Sequence, residues 1–221
     1  SQNSCDFCCK PSNCFSICGY GDCGKGLAKR AQGMDANVIV TEVDPFRALQ
    51  AVMDGFRVMP LKEAAKIGDI FVTVTGNKNI IDVEHIKLMK DGAILANAGH
   101  FDAEININSL RKIAKQRKIR QFMDEFTLGK KRIFILGEAR LINLAAAEGH
   151  PSSIMSMSFC NQAFACEFLV QNRGKLQPRV HVLPQEKDDE IARLQLDAMG
   201  IEIDALTKEQ KKYLETWQEG T

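Results

Sequence analysis

The sequence predicts an α/β fold, a doubly wound parallel sheet with a C-terminal helical arm. Strand-like and helix-like stretches alternate along most of the chain, and several strand-like stretches are continuous apolar, β-branched runs. Such runs are typical of parallel strands covered on both faces, and the alternation indicates β-α-β units. Of the 221 residues, 45% are hydrophobic, so the chain can bury a sizeable core.

The first β-α-β unit covers about residues 14–42 and contains a glycine motif. An apolar run over 15–18 is followed by Gly19, Gly21 and Gly24 at G-x-G-x-x-G spacing, and a helical pattern comes next. The first glycine permits a tight turn, the second leaves room for a pyrophosphate, and the third lets the helix pack close to the sheet. The free N–H groups at the helix N-terminus then face the phosphates. The motif indicates a Rossmann-type dinucleotide site, with a glycine-rich turn of another α/β protein as the alternative.

The second predicted strand, Asn37–Thr41, ends at an acidic residue, Glu42. Its spacing from the glycines is close to that of the acid that binds the adenosine ribose hydroxyls in such sites. A carboxylate at this position would repel a 2′-phosphate. We therefore expect NAD rather than NADP.

The later elements continue the alternation. Helices are predicted over Phe46–Asp54, Leu61–Ile67 and Val83–Met89, and strands over Arg57–Met59, Asp69–Thr75 and Gly92–Asn97. Two further strands, Ile119–Asp124 and Lys131–Leu136, are separated by a turn near residues 128–129. We expect them to extend one edge of the sheet.

After Gly149-His150-Pro151 the pattern becomes helical. Three helices are expected, over Ser156–Val170, Glu186–Met199 and Thr207–Trp217. The first is too apolar for a simple surface helix, so we expect it to pack on another domain or subunit. Thr207 and Gln210 form a capping box at the start of the last. The predicted organisation is an irregular lead-in over 1–13, a Rossmann domain over 14–150 and a helical arm over 151–221.

Charge and hydropathy exclude some functions. The net charge is +1 and charged residues make up 26%, so no broad basic field is available for nucleic acid or an anionic membrane. The sequence has no apolar run long enough for a transmembrane helix, and its N-terminus lacks the regions of a signal peptide. We expect a soluble, cytoplasmic protein that binds neither nucleic acid nor membrane.

Eight cysteines fall into two groups. The first is crowded near the N-terminus and comprises Cys5, Cys8, Cys9 and Cys14. A zinc site usually needs a second ligand pair at a distance and none matches, so a reduced, irregular segment without metal is preferred over a zinc site. The second group is expected to be small buried residues and comprises Cys18, Cys23, Cys160 and Cys166.

Six segments follow one another in a specific order. They are Gly19-Tyr-Gly-Asp-Cys-Gly-Lys-Gly26, Val40-Thr-Glu-Val-Asp-Pro45, Phe71-Val-Thr-Val-Thr-Gly76, Asn97-Ala-Gly-His-Phe-Asp102, Arg140-Leu-Ile-Asn143 and Gly149-His-Pro-Ser152. Together they resemble the S-adenosylhomocysteine hydrolases from about Phe15 to Trp217. The Ala-Gly-His-Phe-Asp and Gly-His-Pro motifs are highly specific, because a generic Rossmann domain lacks them.

The resemblance implies a cycle with no net redox change. Bound NAD oxidises the ribose 3′-hydroxyl of S-adenosylhomocysteine, which acidifies the 4′ proton. Homocysteine is eliminated, water adds, and the NADH formed earlier reduces the ketone to give adenosine. The cofactor supplies the hydride chemistry and the protein orients it.

The resemblance also implies residue roles. It implies that the cofactor is bound by the phosphate loop Gly19, Gly21, Asp22, Cys23 and Gly24, the ribose acid Glu42, the strand-end loop Thr75, Gly76 and Asn77, the turn Ala98, Gly99 and His100, and the nicotinamide-amide partner Asn143. Catalytic roles are implied for His100, near the reacting ribose, and for His150, near the domain hinge, since imidazole accepts or donates a proton near neutral pH. His85 and His181 have no such context, and no function is assigned to them.

The sequence departs from the family in three places. Members carry a long N-terminal substrate domain ahead of the glycine loop, whereas about fourteen residues precede the first strand here. This chain is therefore expected to be the cofactor-binding part with its C-terminal arm. The end soon after Trp217 resembles the short-tailed branch, and Arg47 stands where the family frequently has Asn.

Two other functions stay open. One is a non-catalytic NAD-binding relative that acts through protein partners, and the other is a domain of the 2-hydroxyacid dehydrogenase type. For the latter the sequence shows no convincing arginine and Glu–His set. The family is usually tetrameric, so we expect a homo-oligomer.

Overall fold

A computed structural model describes residues 14–215 of the chain. The chain divides into two compact units, one ending at Gly149 and the other beginning at His150. Within residues 14–215, no helix has the length and apolar character needed to span a bilayer.

The first unit is built on an eight-stranded sheet with the order β3-β2-β1-β4-β5-β8-β7-β6. The strands are β1 Cys14–Cys18, β2 Asn37–Thr41, β3 Arg57–Val58, β4 Ile70–Thr73, β5 Ala93–Asn97, β6 Lys115–Arg120, β7 Met123–Leu128 and β8 Lys131–Leu136. Strands β1 to β5 and β8 are parallel, and β7 and β6 continue the edge antiparallel. The predicted α/β architecture is confirmed, with β8 in the sixth place of the Rossmann order.

Helices cover both faces of this sheet. They are α1 Asp22–Gln32, α2 Pro45–Met53, α3 Leu61–Ile67, α4 Val83–Leu88, α5 Ile107–Arg111 and α6 Ile142–Ala145. Neighbouring residues of β1 belong to different core clusters: Ile17 packs with Ala28 of α1, and Cys18 is in the cluster that contains Ile86 of α4. Alternate strand residues thus face opposite sides, which makes the sheet doubly wound.

The two antiparallel strands at the sheet edge, β6 and β7, differ from the prediction. The predicted strand Ile119–Asp124 is wrong, because β6 ends at Arg120 and a two-residue turn precedes β7. Phe122 lies in that turn with φ of 62°. Its apolar side chain gives the turn the sequence pattern of a strand. Every residue of β6 is exposed, and a polar edge strand of this kind carries no apolar alternation to reveal it. The short helix α5 was also missed.

The second unit contains α7 Ser152–Gln171, α8 Gln185–Ala198 and α9 Lys208–Leu214. The predicted helices are confirmed, although α7 begins four residues earlier than expected. Lys187 of α8 lies 4.3 Å from the centre of the Phe164 ring of α7. The capping box is confirmed: the Gln210 N–H donates to the Thr207 hydroxyl, and the Thr207 N–H donates to the Gln210 side chain. Trp217, the predicted end of the last helix, lies outside the described residues.

Candidate cofactor site

The glycine turn between β1 and α1 has the geometry that the motif predicts. Gly19 has φ of 112°, a left-handed conformation that side chains disfavour, and its N–H donates to the Thr41 carbonyl at 2.8 Å. A Cβ on Gly24 would overlap the Gly19 carbonyl oxygen, so only glycine allows α1 to approach this closely. The first turn of α1 is therefore held against the end of β1, with its free N–H groups at the carboxyl ends of the strands.

Glu42 ties this turn to the end of β2. Its Oε2 accepts the Tyr20 N–H at 2.7 Å, and its Oε1 accepts the N–H groups of Val43 at 2.6 Å and Asp44 at 3.1 Å. Burial opposes ionisation, but these three donors and the charge of Arg47 outweigh it and lower the pKa of the Glu42 carboxyl. The carboxylate is charged at neutral pH and has about one acceptor position left for a ligand hydroxyl.

Tyr20, between the first two glycines, anchors the turn from below. Its side chain is fully buried, its hydroxyl donates to Asp54 Oδ2 at 2.6 Å, and its ring meets Phe56 edge-on at 5.9 Å. Burial and the neighbouring Asp54 carboxylate raise the pKa of the Tyr20 phenol. Sequence reasoning missed this residue, although an aromatic side chain inside a glycine turn was its signal.

A cleft of about 810 Å³ opens above the glycine turn. Of the predicted cofactor residues it is lined by Gly19, Gly21, Glu42, Thr75 and Asn77. Its volume falls in the range of small-molecule sites. The nearest atom to a Cβ placed on Gly21 would be Arg47 Nη1 at 3.6 Å, so the space over this glycine is open. Both the room and the donors therefore fit a dinucleotide.

His85 also lines the cleft, although no role was assigned to it. Its Nδ1 accepts the Asp82 N–H at 3.2 Å within the cap of α4. Burial, with the nearby Lys62, lowers the pKa of the imidazole against the opposing effect of Glu84 and Asp82. The ring is a neutral wall of the cleft and a helix cap.

The turn after β5 is shaped by Asn97, which sequence reasoning missed. Its Oδ1 accepts the Gly99 N–H at 2.7 Å and the Thr73 hydroxyl at 3.0 Å. Its Nδ2 donates to the carbonyls of Phe101 at 2.8 Å and Ala139 at 2.9 Å. A polar residue that ends a buried apolar strand was the signal for this role.

His100 lies exposed on the turn that Asn97 holds. Its ring meets that of Phe101 edge-on, with centroids 4.6 Å apart. Neither His100 nor the other predicted residues of this turn, Ala98 and Gly99, line the cleft above the glycine motif. They lie in the turn after β5, the strand next to β4, at the carboxyl ends of the parallel strands.

Asn143 on α6 has an unsatisfied acceptor. Its Oδ1 is buried and accepts no hydrogen bond from any described residue. The bridge between Asn97 and Leu141 holds the start of this segment beside the end of β5. A buried amide oxygen without a donor suits an incoming N–H, and the carboxamide of a nicotinamide supplies one.

The other predicted site residues are dispersed. Asp22 and Cys23 are exposed in the first turn of α1, and Gly76 follows Thr75 beside the cleft. His150 is the exposed first residue of the second unit. Within residues 14–215, no group of three or more His, Cys, Asp or Glu side chains is arranged to hold a metal.

Several cysteines differ from expectation. Cys14 is buried at the start of β1 rather than part of an irregular segment, and Cys18 is buried as predicted. Burial raises the pKa of the Cys18 thiol to about 12. The prediction of burial was wrong for Cys23 and Cys166, which are exposed, and Cys160 is only half-buried. The remaining N-terminal cysteines lie outside the described residues.

Comparison with known proteins gives a consistent result. Residues 5–149 match the family S-adenosyl-L-homocysteine hydrolase, NAD binding domain. The chain is 60% identical over 207 residues to the adenosylhomocysteinase of Thermosynechococcus vestitus, which covers 93% of this chain and 48% of that protein. It is 59% identical over 206 residues to the S-inosyl-L-homocysteine hydrolase of Methanocaldococcus jannaschii, covering 93% and 50%. The chain spans about half the length of the curated relatives it matches.

Solved structures with similarity include a D-isomer specific 2-hydroxyacid dehydrogenase from Lactobacillus delbrueckii ssp. bulgaricus in its NAD-complexed form. The TM-score is 0.39 at 22% identity, over 46% of this chain and 31% of that chain. A putative D-3-phosphoglycerate dehydrogenase from Ralstonia solanacearum gives a TM-score of 0.42 at 22% identity, over 46% and 31%.

Proposed function

Because this chain belongs to the S-adenosyl-L-homocysteine hydrolase family and carries its NAD-binding domain, we propose that it is the cofactor-binding part of an adenosylhomocysteinase. The reaction is the reversible hydrolysis of S-adenosyl-L-homocysteine to adenosine and L-homocysteine. The 3′-hydroxyl is oxidised transiently. Residues 14–150 form the NAD-binding domain and 151–221 a helical arm, a proposal that the division of the chain beside Gly149 supports.

One observation carries this proposal: the cleft over the glycine turn, with a charged Glu42 at one side and open space above Gly21. The N-terminus of α1 at Asp22 and Cys23 presents N–H groups to the pyrophosphate, with Gly19 and Gly24 shaping the turn. Glu42 accepts a hydrogen bond from the adenosine ribose and disfavours a 2′-phosphate, which favours NAD over NADP.

The part of the cleft beside the turn after β4 receives the other half of the dinucleotide. Thr75 and Asn77 line the cleft there, with Gly76 between them in the same turn, and the unsatisfied Asn143 Oδ1 accepts a hydrogen bond from the N–H of the nicotinamide carboxamide. The chemistry that bound NAD would supply there is hydride transfer from the ribose 3′ carbon and back to it. Ala98 and Gly99 bring the exposed His100 to the reacting ribose. His150 is the second residue to which we assign proton transfer.

Homocysteine release tests the reaction. The chain, joined to the N-terminal substrate domain of one of these adenosylhomocysteinases, is incubated with NAD and S-adenosyl-L-homocysteine, and free thiol and absorbance of NADH are followed together. We expect thiol release without net NADH accumulation, and a loss of about 100-fold or more in His100→Asn. Net NADH production would contradict the hydrolase and indicate a dehydrogenase.

S-inosyl-L-homocysteine is a second candidate substrate, because the relative from Methanocaldococcus jannaschii that is named for it is 59% identical to this chain. The same thiol assay with both substrates decides between them. A higher kcat/KM for the inosyl compound would assign that reaction. The non-catalytic NAD-binding alternative finds no support among these relatives.

The assembly and setting are part of the same proposal. Exposed apolar side chains on α7, such as Phe159 at 58% and Leu169 at 56%, are consistent with a homo-oligomer. The near-neutral charge gives no reason to expect binding to nucleic acid or membrane, and we propose a cytoplasmic enzyme. A monodisperse monomer in light scattering would contradict the oligomer.

A further inference from the structure

Glu104 is a buried carboxylate to which neither the glycine motif nor the proposed chemistry gives a role. The residue is 1% exposed and accepts three hydrogen bonds from the turn after β4. Its Oε2 accepts the Thr75 N–H at 2.9 Å and the Thr75 hydroxyl at 2.7 Å, and its Oε1 accepts the Gly76 N–H at 2.8 Å. These three hydrogen bonds compensate for the burial of both carboxylate oxygens. They also fix the backbone of the turn.

The backbone around Glu104 extends this contact along the cleft wall. The Ile81 N–H donates to the Glu104 carbonyl at 3.0 Å, and the Asn79 N–H donates to the Ala103 carbonyl at 2.8 Å. Ile81 also pairs with Ile105 in a parallel bridge. The segment 103–105 therefore holds both ends of the 75–81 loop, and Thr75, Asn77 and Asn79 of that loop line the cleft.

The same carboxylate packs against the turn that carries His100. A Cβ on Gly99 would overlap Glu104 Oε1, so the absence of a side chain there is what admits the carboxylate. Glu104 thus lies between the turns that follow β4 and β5. A change in its position moves both turns.

We propose that Glu104 is a positioning residue for the cofactor cleft, fixing the Thr75–Gly76 turn on which binding of the nicotinamide half of NAD depends. This rests on the proposed function, in which the adenosine half lies at Glu42 and the other half extends towards β4 and β5. The Thr75 hydroxyl donates to Glu104 and accepts the Asn77 N–H at 3.1 Å, so its donor is already used within the protein. The turn acts on the cofactor through its shape.

Glu104→Gln tests this role at nearly constant volume. Glutamine has one acceptor oxygen, so its NH₂ group must face the N–H of Thr75 or Gly76 and at least one hydrogen bond is lost. We expect the NAD dissociation constant, measured by isothermal titration calorimetry on the full chain, to rise about tenfold. The AMP dissociation constant should stay within about twofold, because AMP lacks the nicotinamide half.

The matched control is Glu125→Gln. Glu125 is a buried glutamate, 7% exposed, on β7, where it accepts from Arg117 at 3.0 Å and does not line the cleft. This variant loses a buried carboxylate in the same unit but away from the cleft, so it reports any general effect of such a loss. We expect its ratio of NAD to AMP affinity to equal that of the unmodified chain.

Thr75→Val decides the matter if Glu104→Gln does not fold. It removes the hydroxyl that donates to Glu104 and accepts the Asn77 N–H, and we expect NAD binding to weaken roughly threefold, Thr75→Ser to restore it, and AMP binding to persist. Unchanged NAD affinity in both variants, or equal losses for NAD and AMP, would overturn the role of Glu104. Failure of the unmodified chain to bind NAD would instead overturn the proposed function.

Discussion

At the scale of single residues, the site depends on polar groups whose hydrogen bonds are made within the protein. Glu42 accepts three backbone N–H groups, and Asn97 uses both ends of its amide. Each such group is costly to leave unsatisfied when buried, so each fixes the backbone that supplies its partners. Among the predicted site residues, Asn143 differs in having a buried Oδ1 that accepts no hydrogen bond from any described residue.

Glu42 should make stability depend on pH. The folded state lowers its pKa, so the carboxylate stabilises the fold above the ordinary glutamate range, and this contribution is lost as the pH falls through the lowered pKa. Glu42→Gln removes the charge at every pH. We expect urea denaturation to show a stability gap between the two proteins at neutral pH that closes in acid.

An exposed glutamate on α3 provides the control. Glu63 makes only an ion pair with Lys66, so Glu63→Gln should change stability little at any pH. A gap for Glu42→Gln that stays constant from neutral pH into acid would contradict the inferred charge of Glu42.

At the scale of elements, the close packing of α1 on the sheet decides the shape of the cleft beside the glycine turn. The helix contains two glycines with opposite surroundings. Gly24 is buried against the Gly19 carbonyl, whereas a Cβ on Gly26 would meet no atom within 4 Å. The same helix thus offers a structural glycine and a replaceable one.

Gly24→Ala and Gly26→Ala should therefore have opposite effects. Gly24→Ala forces α1 away from β1, and we expect a loss of about 1–3 kcal/mol in unfolding free energy together with weaker NAD binding. Gly26→Ala removes only the helix-destabilising effect of glycine and should stabilise the fold by about 0.5–1 kcal/mol. Urea denaturation measures both, and equal effects would show that α1 is not packed as described.

At the scale of the whole molecule, strand order places the cleft. The sheet grows from β1 through β2 to β3 in one direction, and from β4 through β5 to β8 in the other. Ligands of open α/β sheets bind outside the carboxyl ends of the strands at this switch point. The cleft is lined by residues that follow β1, β2 and β4, which is the place this rule predicts.

A ligand bound there should stabilise the folded chain. Binding that is restricted to the native state contributes about 2.7 kcal/mol at a ligand concentration 100 times the dissociation constant. For a chain of this size that corresponds to a rise in Tm of roughly 5–10 °C. Differential scanning fluorimetry should show this rise with NAD and a smaller one with NADP at the same concentration. A larger shift with NADP would contradict the role given to Glu42.

Local pattern was sufficient for much of the fold. The glycine turn, the strands around it and the helices α1 to α4 follow from apolar periodicity and from glycines and prolines at their ends, which are properties of neighbouring residues. The edge strand β6 could not be predicted in this way, since its residues are all exposed and only pairing with β7 makes it a strand.

The sequence by itself determined the α/β class, the dinucleotide motif with Glu42 and the family resemblance, because each is written in contiguous residues. Only the tertiary structure decided how the cleft is held. Glu104 lies 29 residues from Thr75, Tyr20 lies 34 from Asp54, and Asn97 lies 42 from Ala139. Such hydrogen bonds form between segments that the sheet order brings together, so a local pattern can draw attention to Tyr20 or Asn97 but cannot identify their partners.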